Sequence, residues 1–168
     1  CLSGGVPTRL PIIKEATKRG ISLTNDTQVF LQVVPCKTIG ITGSAGKTTT
    51  TALVGKITQN AFIGSDKQAW VGGNIGDPLL NHIDQMHADD LAILEISSFQ
   101  LDQMDRSTDI AAVLNITPNH LDRHKTMESY KAAKIRLVEF QAQDSVTILG
   151  RDDPGSWSLK EKVQGKMT

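Results

Sequence analysis

Three stretches of this sequence carry residue types that could act on a phosphorylated substrate. The first is Gly43-Ser44-Ala45-Gly46-Lys47-Thr48-Thr49-Thr50. Glycines let a backbone curl so that successive N–H groups face one anion. A helix opening directly after them adds its partial positive charge. In such a loop Lys47 reaches the β- and γ-phosphates of a nucleotide, and the Thr48 hydroxyl ligates Mg2+. Ser44, Ala45, Gly46, Lys47, Thr48, Thr49 and Thr50 are therefore candidate ATP contacts. The strict Walker spacing needs glycine at position 41, where the chain has Ile41 between Gly40 and Gly43. A plain glycine-rich turn with an exposed lysine is the alternative.

The second stretch is Leu91-Ala92-Ile93-Leu94-Glu95, an apolar run ending in a carboxylate. Nucleotide enzymes place a metal-holding acid at such a strand end, although a solvated terminus reads the same way. The third is Asn119-His120-Leu121-Asp122-Arg123-His124, after Pro118. His-x-Asp-x-His in a loop could bind a metal or orient an anion. A turn capped by Asp122 is the competing account, and His120 is the functional candidate. A second glycine-rich turn, Gly72-Gly73-Asn74-Ile75-Gly76, offers one polar side chain or simply close packing.

Lys134 is the most informative single residue. On a helix from Met127, Tyr130, Leu137 and Val138 share one face. Lys134 projects into the middle of it. Burial there would depress its pKa and favour the neutral amine. A neutral amine can take up CO2 as a carbamate, which turns a cation into a metal-binding anion. A lysine that covers apolar surface with its stem is the alternative.

The elements that must carry these residues follow from periodicity. Short apolar runs at Thr38 to Thr42, Leu91 to Ile96, Ile110 to Ile116 and Val146 to Leu149 lack in/out alternation, as strands buried on both faces do. Helical segments at about 47 to 60, 77 to 86 and 127 to 141 lie between them. The pattern predicts an α/β fold with a mostly parallel sheet and helices on both faces. Ligands of such sheets sit beyond the carboxyl ends of the strands. Three strand ends then deliver the glycine loop, Glu95 and His120 to one edge.

Residues 1 to about 36 read as the tail of another unit. A helix from Leu10 to Thr17 is stopped by Gly20, Ile21-Ser22-Leu23 is a strand candidate, and Asn25 or Asp26 caps a helix through Val33. Arg151 to Thr168 reads as the start of a connection leading elsewhere. The chain opens at Cys1 in mid-pattern, and it is expected to be a piece of a longer protein, cut at both ends.

Composition narrows the partners. The 168 residues carry 18 Lys plus Arg and 18 Asp plus Glu, so net charge draws the chain to neither nucleic acid nor an anionic membrane. Aromatics at 4% argue against a base-stacking platform. No apolar run approaches the length of a membrane span. Two cysteines, Cys1 and Cys36, make no disulfide framework and point to free thiols in a reducing, cytoplasmic setting.

Taken as a set, these residues resemble the Mur ligase family, the ATP-dependent amide-forming enzymes of peptidoglycan precursor synthesis. ITGSAGKTTTT, GGNIG, LEISSFQL, NHLD and YKAAK occur in the family's order, and SGGVP is similar to the end of its UDP-binding N-terminal domain. The run Glu95 to Leu101 points to the member that adds D-glutamate. Arg151-Asp152-Asp153 departs from the Ala-Asp-Asp frequent in the family.

The resemblance implies a phosphate-loop NTPase-like central domain over 37–168, incomplete, preceded at 1–36 by the end of the N-terminal domain. It implies ATP and Mg2+, with Thr48 and Glu95 at one cation and His120 with a carbamylated Lys134 at a second. Lys47 would meet the transferred phosphoryl group, and Lys47, Glu95, His120 and Lys134 would form the catalytic set. Asn74, Ser97, Gln100 and Ser3 would contact a UDP-N-acetylmuramoyl-L-alanine substrate. A monomer is implied for the whole protein, and this stretch alone is expected to bind nucleotide weakly without turnover. Another Mur or folylpolyglutamate-type ligase, or a phosphate-loop module that does not ligate, are the alternatives.

Overall fold

A computed structural model of the chain describes residues 1, 2, 6, 7 and 9–168. In chain order the elements are α1 (Pro11–Lys18), α2 (Asp26–Val33), β1 (Lys37–Thr42), α3 (Lys47–Ala61), β2 (Ala69–Gly73), a 3-10 helix (Leu79–Gln85), β3 (Leu91–Glu95), α4 (Ser98–Leu101), β4 (Ile110–Val113), α5 (Leu121–His124), α6 (Met127–Glu139), β5 (Val146–Leu149), α7 (Pro154–Trp157), a second 3-10 turn (Lys160–Lys162) and β6 (Lys166–Met167).

The strands form one sheet in the order β2-β3-β1-β4-β5-β6. Every pairing described is parallel. Their carboxyl ends therefore share one edge, the arrangement that the apolar runs predict. Along β3, Ala92 and Leu94 enter the larger core with Leu101, Val113, Tyr130, Leu137 and Leu149. Ile93 points the other way, to Ile41, Ala112 and Val54 of α3. Both faces of β3 are thus buried, and α6 and α3 cover opposite sides of the sheet.

Three expectations are corrected. Ile21-Ser22-Leu23 is not a strand, because the sheet offers it no partner; Leu2 N–H donates to Thr24 O instead. The segment 77–86 forms a 3-10 helix from Leu79 rather than an α-helix, after Pro78 in an extended conformation. Residues 151–168 do not lead away: α7 and the second 3-10 turn bring the chain back to add β6 beside β5. The helix before Gly20 and the helix capped by Asn25 form as expected.

α2 is fastened to the sheet domain. Asn25 Oδ1 accepts from Gln28 N, and its Nδ2 donates to Gln100 O at 2.8 Å. Phe30 is buried in the larger core.

β2 ends in a glycine that the fold requires. Gly73 has φ +100°, and a Cβ there would collide with the Glu95 carbonyl oxygen. Gly73→Ala is expected to lower unfolding free energy by roughly 2–4 kcal/mol, since strain and overlap add. Denaturant unfolding measures it, and a cost below about 0.5 kcal/mol would mean that β2 is free to shift.

Candidate active site

The carboxyl ends of β1, β3 and β4 build the site. β1 leads into the loop Gly43–Gly46, and Gly46 with φ +82° turns the chain into α3. The loop is tied to the segment after β4. Ser44 N–H donates to Asn115 O at 2.9 Å, and Ala45 N–H to Asn115 Oδ1 at 2.8 Å. Asn119 Nδ2 donates to Ser44 O at 3.2 Å. The Ser44 hydroxyl donates to Thr117 O, accepts from Thr117 N–H and lies 3.0 Å from the Tyr130 hydroxyl. The Ser44 side chain is therefore committed to the protein, while its neighbours Gly46 to Thr49 open the helix with N–H groups that no carbonyl within α3 can meet.

Two lysines converge on this loop. Lys47 Nζ donates to Gly43 O at 3.0 Å. Lys134 Nζ donates to the same oxygen at 3.0 Å and to Thr42 Oγ1 at 3.2 Å. Lys134 is 1% exposed. Burial, aided by the charge of Lys47, pulls its pKa down to about 7. The Tyr130 ring lies 4.8 Å from the same nitrogen. Its electron-rich face favours the cation, yet desolvation outweighs it at this depth.

Glu95 is 2% exposed and sits beside Ile41 in the sheet register. Its Oε2 accepts from the Thr48 hydroxyl at 2.7 Å and its Oε1 from Asn74 Nδ2 at 3.0 Å. Asn74 N–H also donates to Glu95 O at 2.7 Å. A hydroxyl and a carboxylate oxygen in contact next to a phosphate loop are the hard donors that Mg2+ takes. Among the described residues no three His, Cys, Asp or Glu side chains gather as a metal-binding group. A cation beside Glu95 would complete its shell from water and substrate oxygens, as Mg2+ commonly does.

The remaining candidates are placed differently. His120 is exposed, has φ +52° and sets its ring edge against Phe99 with centroids 5.1 Å apart. No hydrogen bond joins His120 to Lys134 among the described residues, and the Lys134 amine is engaged beneath the loop. Ser97 and Gln100 form a capping box at α4, and Gln100 Nε2 donates to Thr27 Oγ1 at 2.7 Å. Their polar atoms are spent within the protein. Ser3 lies outside the described residues.

Sequence reasoning gave no role to Thr42, Asn115 or Tyr130. Tyr130 reads only as a core aromatic on the Lys134 face, and its hydroxyl partner is a contact across 86 positions. Asn115 was visible just past a strand, where a polar side chain can hold a neighbouring loop.

A parallel sheet with a glycine-rich loop after its central strand, a carboxylate on the next strand and a buried lysine beneath the loop has the form of an α/β nucleotide-binding domain. Residues 41–168 match the Mur ligase middle domain, and the chain belongs to the Mur ligase family. It is similar to proteins named UDP-N-acetylmuramoylalanine–D-glutamate ligase, 42% identical over 99% of the chain in Koribacter versatilis and 41% over 97% in Thermoanaerobacter sp.. The chain spans 36% and 35% of those two relatives, about a third of their length.

Solved structures share the fold. The Neisseria meningitides UDP-N-acetylmuramate:L-alanyl-gamma-D-glutamyl-meso-diaminopimelate ligase superposes with TM-score 0.66 at 13% identity, covering 98% of this chain and 56% of that one. MurF from Thermotoga maritima, solved with ADP, gives 0.60 at 20% identity over 83% and 34%. No helix among the described residues is long and apolar enough to cross a membrane.

Proposed function

We propose that this chain is the nucleotide-handling part of a cytoplasmic ATP-dependent ligase of peptidoglycan precursor synthesis, the ADP-forming enzyme that joins D-glutamate to UDP-N-acetylmuramoyl-L-alanine. Residues 37–168 are its central domain in part, and 1–36 the end of its UDP-binding domain. The observation that carries the reading is the contact of Thr48 with buried Glu95 at 2.7 Å, directly beside the loop that holds Lys47. Names of relatives at about 42% identity supply the substrates.

The reaction has two transfers. A carboxylate oxygen of the L-alanyl group attacks the γ-phosphorus of ATP, the bond to the bridging oxygen breaks, and ADP leaves. The amine of D-glutamate then attacks the acyl phosphate carbon, loses a proton, and phosphate departs. The loop from Ser44 to Thr50 cradles the phosphates, and Lys47 exchanges Gly43 O for the γ-phosphate. Thr48 and Glu95 would hold one Mg2+, and His120 with Lys134 as its carbamate would hold a second. Metal ions here supply charge neutralisation between two anions that otherwise repel. Burial keeps a large neutral fraction of the Lys134 amine near pH 7, the form that reacts with CO2. Exposed Asn74, beside Glu95, borders the UDP-sugar, while Ser97 and Gln100 shape that border by holding α4 in place.

In the protein of full relative length, phosphate release is expected only with ATP, UDP-N-acetylmuramoyl-L-alanine and D-glutamate together. Release driven by a folate and glutamate, or by ATP alone at the same rate, would overturn the reading. The 168-residue chain is expected to bind Mg-ADP weakly and to form no amide.

A further inference from the structure

One buried side chain has no task in this account. His124 ends α5 and is 7% exposed. Its Nε2 lies 2.9 Å from Ser98 Oγ, and its Nδ1 is 3.8 Å from the Asp102 carboxylate. The ring lies flat on Phe99, with centroids 5.2 Å apart and planes within 2°. Tyr130 meets the same imidazole at 5.2 Å, tilted by 58°. Phe99, with the Arg123 guanidinium 4.6 Å over its ring, meets the His120 ring at 5.1 Å and 62°, and Tyr130 touches Ser44 of the phosphate loop. Four rings therefore run in contact from His120 to the loop.

Packing alone does not call for histidine at position 124. A leucine would fill the space without burying polar nitrogens, whose desolvation is costly. Imidazole adds two things that leucine lacks: a flat face for Phe99 and a polar edge that Ser98 can pin. A ring pinned at its edge cannot rotate, so the plane of Phe99 is set as well. That matters for His120, whose left-handed backbone is strained for a side-chain-bearing residue. Its ring has no hydrogen-bond partner among the described residues and rests against Phe99.

We propose that His124 is a positioning residue: stacked on Phe99 and pinned by Ser98, it fixes the His120 imidazole at a set distance from the phosphate loop. The use made of His120 rests on the ligase reading; the geometry of the stack does not.

The test reads His120 directly. In the chain, the His120 ring proton resonances are expected to be displaced by the neighbouring Phe99 ring. His124→Leu is expected to return them toward free imidazole positions, while His124→Phe, which keeps the flat face but loses the bond to Ser98, restores them only in part. In the full-length ligase, a displaced group of this kind costs on the order of 10²-fold in rate. His124→Leu is expected to lose that in kcat with the KM for ATP unchanged, and His124→Phe to regain only part of it. Unmoved His120 resonances in His124→Leu, or equal kcat losses for Leu and Phe, would overturn the proposal. Should His124→Leu fail to fold, Ser98→Ala, which keeps both rings and removes the pin, is expected to shift the His120 resonances part of the way, and unmoved resonances there would equally overturn the proposal. An inactive wild-type ligase whose His120 resonances still obey the pattern counts against the ligase reading and for the stack.

Discussion

Lys134→Met is expected to leave the protein more stable at pH 7 and the ligase without turnover. The stability half follows from protonation. The Lys134 pKa falls from the ordinary 10.5 to about 7 in the folded chain. Between these values the unfolded chain binds more protons, so the lysine's contribution to stability improves as pH rises from about 7 toward 10.5. Below pH 7 its penalty is at its full size, about 5 kcal/mol at 1.4 kcal/mol per pH unit. Methionine fills similar volume and carries no such penalty. Its partners are not stranded: Gly43 O keeps Lys47, and Thr42 Oγ1 still donates to Ile96 O. After two lost hydrogen bonds at about 1 kcal/mol each, a gain of roughly 1–3 kcal/mol remains at pH 7. It should vanish near pH 9 and become a loss of about 1 kcal/mol by pH 10, where the lysine penalty has gone and the lost hydrogen bonds remain. Denaturant unfolding at the two pH values measures this. Turnover is expected to fall on the order of 10³-fold, as for loss of a group at the charge-developing centre, with partial recovery of Lys134→Ala by a small carboxylate. A variant less stable at every pH, or one that keeps turnover within a few-fold, would show the lysine to be structural.

Glu95→Gln is the second large effect. The amide keeps the shape, and its oxygen can still accept from Thr48 or Asn74, so the sheet should hold and unfolding change by no more than about 1 kcal/mol. What disappears is the negative charge beside the loop. The affinity of the chain for Mg-ADP is expected to drop at least tenfold, while its affinity for metal-free ADP stays flat or rises, because a like charge near the phosphates has gone. Turnover of the full-length enzyme should fall on the order of 10²–10³-fold. Calorimetric titration with and without Mg2+ separates the two. Equal losses for both forms of the nucleotide would place Glu95 in the scaffold rather than at a cation.

What the sequence disclosed depended on how local the cause was. The glycine loop, the strand ending in Glu95 and the lysine on an apolar face are each set by neighbours within a few positions, and the structure puts them where the pattern implies. β5 runs over Val146–Leu149, the same residues as its apolar run. β2 escaped notice because it is a half-exposed edge strand ending in Gly72-Gly73, residues that depress strand propensity. β6 has two residues and exists only through β5. α4 could have been found, since Ser97-Ser98-Phe99-Gln100 is a capping-box pattern. The contacts of Ser44 with Thr117 and Tyr130, and of Gln100 with Thr27, were out of reach, since they are made across loops that no periodicity records.

The strand order has a consequence for how the chain is made. β1, at the centre of the sheet, first meets β3, whose register starts at Leu91 opposite Lys37, 54 positions later. On its other side Ile39 waits for Ile110, a further stretch of synthesis away. At ribosomal speed the gap to β3 alone is roughly 3–10 s. For that interval the nascent chain carries an unpaired, largely apolar strand and the loose glycine loop behind it. Non-local closure of this kind slows folding, and it makes the emerging segment a natural client for chaperones until Glu95 has left the exit tunnel.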